Sequence, residues 1–97
     1  MNLGKRPKAE ILLAVLILTS CAVSKQNKQI NSDASIAMAT GDYEKALISY
    51  ETIIALQKSS GKEVDGAIYN NAGLAAYELQ QTDKSIDYLE TAKKRSA

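Results

Sequence analysis

Ninety-seven residues leave room for one small domain with a thin core. The chain has no His, no Trp and a single Cys, which excludes an intrachain disulfide, a Ser-His-Asp or Cys-His catalytic set and most metal sites. The formal charge is +1, but Lys5, Arg6 and Lys8 all precede an apolar run. From Cys21 onward nine Lys and Arg stand against ten Asp and Glu, so there is no basic footprint for nucleic acid. No cofactor is expected, and the carboxylates, hydroxyls and amines that remain show no spacing that would assemble a catalytic site.

Residues 1–20 have the layout of a targeting signal. Lys5, Arg6 and Lys8 lead into an apolar stretch from Ile11 to Leu18, and the small polar residues Thr19 and Ser20 precede Cys21. Eight apolar residues in a helix cover about 12 Å of a hydrocarbon layer about 30 Å thick, too little for a permanent span. Leu18-Thr19-Ser20-Cys21 resembles the lipobox of bacterial lipoproteins. The resemblance implies that the signal is cut before Cys21 and that diacylglyceryl is carried on the Cys21 thiol, the most nucleophilic side-chain group in the chain when ionised. Two or three acyl chains make such an anchor stable, each buried methylene adding about 0.8 kcal/mol. Ala22 rather than Asp follows Cys21, and no acidic cluster comes after it. By resemblance to diderm bacteria this implies the outer membrane, facing the periplasm.

The stretch 21–28 is polar after Val23 and is expected to be a tether. A first helix is predicted from Lys28 to Thr40, with Ile30, Ala34 and Ala37 on one face and Gly41 as a left-handed C-terminal cap. Asp42 then caps a second helix whose apolar stripe is Ala46, Leu47, Tyr50, Ile53 and Ile54. Ser59-Ser60-Gly61 breaks the pattern, and a third helix is predicted to start between Lys62 and Asp65 and to bury Ile68, Tyr69, Ala72, Ala76 and Leu79. A fourth begins at Gln81 or Thr82, with Ile86, Leu89 and Ala92 buried and Lys93-Lys94-Arg95 set against its C-terminal dipole.

The second and fourth helices align without a gap at a shift of 39 residues, Gly41-Asp42-Tyr43 through Ile53 on Gln80-Gln81-Thr82 through Ala92. Tyr69, Gly73, Ala76 and Tyr77 in the third helix, and Gly41-Asp42-Tyr43, Ala46, Tyr50 and Ile53 in the second, resemble the two helices of a tetratricopeptide repeat. The implied fold is all-α, a short solenoid of two helix-turn-helix repeats over 29–61 and 62–97. The chain departs from the pattern at Asp33, where an apolar residue is usual, at Ser85 and Gln80, where Ala and Gly are usual, and in lacking the closing Pro. The shift of 39 also exceeds the usual period of about 34, the extra residues falling in Lys58 to Gly66.

The resemblance implies a non-enzymatic module that binds a protein or peptide partner in the cell envelope. Its partner face would be formed by the first helix of each repeat, through Asn31, Ser35 and Met38 and then Asn70, Leu74 and Tyr77. Two repeats fall short of the three or so that a solenoid needs. A partner, a second copy of the chain, or further repeats in a longer sensory or regulatory protein are the expected ways to complete it.

Overall fold

The computed structural model describes residues 25–96, which form four helices and two stacked antiparallel hairpins. Helix α1 is described over 25–40, α2 is Tyr43–Ser59, α3 is Gly66–Glu78 and α4 is Thr82–Ser96. Cys21, the targeting signal and the first half of the expected tether lie outside the described residues. Residues 25–28, the second half of that tether, are already helical and continue into α1. Lys25, Gln26 and Lys28 are good helix formers, and nothing between them and Ile30 breaks the helix.

The turn inside each hairpin is built the same way. Gly41 takes φ 81° and the Asp42 amide donates to the Ala37 carbonyl at 2.8 Å. Thirty-nine residues later Gln80 takes φ 62° and the Gln81 amide donates to the Ala76 carbonyl at 2.9 Å. Both are helix ends closed by a left-handed residue. The aligned register is thus a register of hydrogen bonds, and Gln80 fills a glycine's place at a conformational cost. Asp42 then caps α2 by accepting from the Lys45 amide at 3.3 Å.

Gly61 (φ 73°) ends α2 in a third turn of this kind, with the Lys62 amide donating to the Gln57 carbonyl. The chain then stays non-helical through 62–65, so α3 begins later than the earliest expected position. Asp65 decides this by capping α3, its carboxylate accepting from the Ala67 amide at 3.1 Å. The extra residues of the long period include Val64, which is buried in the core between the hairpins.

That core is made of small residues around a few large ones. Ala34, Ala46, Ala72, Ala75 and Ala76 have no exposed surface, and Tyr50 and Ile53 are the largest fully buried side chains. Burying a side chain of that size contributes about 1.5–3 kcal/mol. The close approach of α3 and α4 depends on Gly73, where an added Cβ would lie 2.7 Å from Leu89 Cγ. Ser85, in the usual Ala position, is buried too, and its hydroxyl donates to the Gly73 carbonyl at 2.9 Å. Among the described residues no helix is long and apolar enough to cross a membrane.

Candidate interaction surface

The hairpins are joined by one polar and aromatic cluster on α2, α3 and α4. Tyr88 donates from its hydroxyl to Glu51 at 2.6 Å, and Lys84 pairs with the same carboxylate at 3.1 Å. Burial, and then the Glu51 carboxylate, push the Tyr88 phenol well above its ordinary pKa. The Tyr69 ring lies 6.0 Å from that of Tyr88, with Lys58 and Arg95 about as far from the Tyr69 ring. These contacts fix the second hairpin's angle on the first, and hence the surfaces that remain open.

Six residues were expected on the partner face. Asn31 and Ser35 on α1, and Asn70, Leu74 and Tyr77 on α3, are exposed, each set spaced along one stripe of its helix. Met38 differs: it is half-buried and packs against the core. Met38 packs against the core formed by the two hairpins, whereas its counterpart at the shift of 39, Tyr77, is 67% exposed, with no further hairpin beyond it among the described residues.

The same comparison corrects the expectation for α4. Ile86 was expected in the core but is 50% exposed, while its counterpart Leu47 is only 4% exposed. In the first hairpin α3 covers this position. In the second no element does among the described residues, and Leu89 beside it is only half-buried. Leu74, Tyr77 and Ile86 are therefore three of the five large apolar residues left exposed, and all three belong to the outer side of the second hairpin. Asn70 adds a polar edge, lining with Lys93 and Arg95 a shallow depression between α3 and α4.

The opposite side of the stack is more polar. Ala72 and Ala75 face the first hairpin and have no exposure, and their counterparts on α1 are Asp33 and Ile36. Asp33 is half-buried and accepts a hydrogen bond from Gln29 at 3.0 Å. Its departure from the apolar pattern thus leaves Ile36 as an isolated apolar residue beside a polar pair.

Two stretches, residues 34–60 and 66–97, each match the tetratricopeptide repeat, and together they take in more than half of the chain. The chain belongs to the tetratricopeptide repeat family. The hairpins are its repeats, and repeats of this family serve as protein-interaction modules. No curated protein and no solved structure matches the chain. The tetratricopeptide stack leaves Leu74, Tyr77 and Ile86 open on its second repeat, and Ile36 and Ile48 on its first. Sequence reasoning did not find Val64, Glu51 and Tyr88. Val64 lies in a segment without periodicity, and Glu51 and Tyr88 meet across 37 residues with no local signal.

Proposed function

We propose that this chain is a lipid-anchored adaptor of the bacterial envelope, held by acylated Cys21 and presenting the uncovered side of its second repeat to a protein partner. The exposure of Ile86, set against the burial of its counterpart Leu47, carries the binding half of this reading. An apolar position that the fold covers in one repeat and leaves bare in the next offers a seat for a helix packed as α3 packs on the first repeat. Leu74 and Tyr77 give that seat apolar area, and Asn70 gives it a hydrogen-bonding edge. The lipobox residues Leu18 to Cys21 support the anchoring half, and Ala22 supports the periplasmic face of the outer membrane.

Photo-crosslinking in cells tests the binding half. A photoreactive residue at position 86 is expected to give a discrete protein adduct that is lost on Leu74→Asp, while the same residue at position 29, on the first repeat's outer side, gives none. No adduct at 86, or the same adducts from both positions, would contradict it. A mass measurement of the mature N-terminus decides whether Cys21 is acylated.

The uncovered side also favours a second reading, in which it is filled by a following repeat within a longer sensory or regulatory chain. A run of further repeats in the messenger beyond codon 97 would select that reading over a separate partner.

A further inference from the structure

The charges of the described helices are sorted by end. Antiparallel hairpins bring the first turns of α1, the last turn of α2, the 60–65 connection and the last turn of α4 to one end of the stack. Lys25 and Lys28 on α1, Lys58 and Lys62 beyond them, and Lys93, Lys94 and Arg95 on α4 all lie there and are exposed. Glu63 and Asp65, with Glu90 one turn further in on α4, oppose them, and Glu63 is paired with Arg95 at 3.5 Å. The other end has the reverse balance: Asp42, Glu44, Glu78 and Asp83 are exposed, with Lys45 and Lys84 the cations, and Lys84 is paired with Glu51. The chain from Cys21 onward is close to neutral, yet its folded form is strongly dipolar.

The basic end is also the end nearest Cys21. Lys25 is four positions beyond Cys21, and four steps of fully extended chain reach about 14 Å at most. That is close to the distance of about 10 Å over which charges are felt at about 0.1 M salt. We infer that the basic end is a docking face for the anionic headgroups of the membrane that holds the anchor, standing the hairpins upright with the acidic end outward. This rests on the reading of Cys21 as acylated. A nucleic acid or an acidic protein would suit the same charges, but only a lipid surface is brought to this end by the anchor itself. The consequence for binding is orientation: the uncovered side of the second repeat, which runs along the stack, would stand perpendicular to the membrane and be open to partners.

The test uses the mature acylated protein, its Cys21 modification established by mass, reconstituted in phosphatidylcholine vesicles with or without phosphatidylglycerol. A fluorophore is attached through Ser60→Cys at the basic end or Gln81→Cys at the acidic end, and brominated lipid serves as quencher. Quenching at position 60 several-fold above that at position 81 is expected when phosphatidylglycerol is present. The difference should shrink several-fold, to what the tether alone imposes, in phosphatidylcholine alone and at about 1 M salt, where charges are felt over only about 3 Å. It should shrink likewise on combining Lys62→Glu, Lys93→Glu and Lys94→Glu, with circular dichroism used to verify the fold. Equal quenching at the two positions, or quenching at 60 that ignores headgroup charge and salt, would overturn the inference while leaving the anchor standing. An unmodified Cys21 would overturn the anchoring reading and this inference with it.

Discussion

At the scale of single residues, four positions have effects that follow from local geometry. Gln80 holds a left-handed conformation that Gly41 holds without strain. Gln80→Gly should therefore stabilise by about 0.5–1 kcal/mol and Gly41→Ala destabilise by about 1–2 kcal/mol in urea unfolding. Changes of like sign would contradict the shared turn. Gly73→Ala gains up to about 1 kcal/mol of helix propensity but drives a methyl into Leu89, an overpacking cost of about 1–3 kcal/mol, so a net loss is expected. Tyr88 sets a pH dependence. Its phenol is held protonated above the ordinary value of about 10, so with rising pH the unfolded chain loses that proton first and stability falls above about pH 10. Tyr88→Phe should flatten that alkaline decline, and unchanged slopes in unfolding measured from about pH 9 to about pH 11 would count against it. The sequence showed the glycine turns by residue type, and Gln80 only through its alignment with Gly41. The partner of Tyr88 was not legible, because nothing in a local pattern pairs positions so far apart.

At the scale of elements, helix ends were legible where one residue decides them: Gly41 and Asp42 have the conformation and hydrogen bond that capping chemistry requires, whereas the start of α3 was bounded only to 62–65, within which Asp65 is the cap. Faces were legible too, with Tyr50, Ile53, Tyr69 and Ala72 all buried. Periodicity shows which side of a helix is apolar, but not whether a neighbour exists to cover it, which is why Ile86 was assigned to the core. Nor does periodicity show that Met38, on the same stripe as the exposed Asn31 and Ser35, is half-buried against the core. Coupling between the hairpins concentrates at Glu51, which receives both Tyr88 and Lys84. The part-exposed ion pair should contribute no more than about 1 kcal/mol and the hydrogen bond to a charged acceptor about 1.5–3 kcal/mol. A double-mutant cycle with Glu51→Gln and Tyr88→Phe should thus show a favourable coupling larger than one with Glu51→Gln and Lys84→Met, and the reverse order would contradict this division.

At the scale of the whole molecule, the two repeats differ in which equivalent positions are covered. The first leaves Ile36 and Ile48 exposed but buries Leu47, whereas the second leaves Leu74, Tyr77 and Ile86 exposed. A surface of this kind favours association, so Ile86→Asp should leave the fold intact while reducing partner capture or self-association, read by sedimentation at rising concentration. The most direct test compares two truncations at equivalent positions 39 residues apart. Leu47→Ala should cost about 2–5 kcal/mol of unfolding free energy, as burial beneath α3 requires, and Ile86→Ala within about 0.5 kcal/mol of nothing, as exposure requires. Equal losses at the two positions, measured on dilute protein without a partner, would show that Ile86 is covered and contradict the open side on which the proposed function depends.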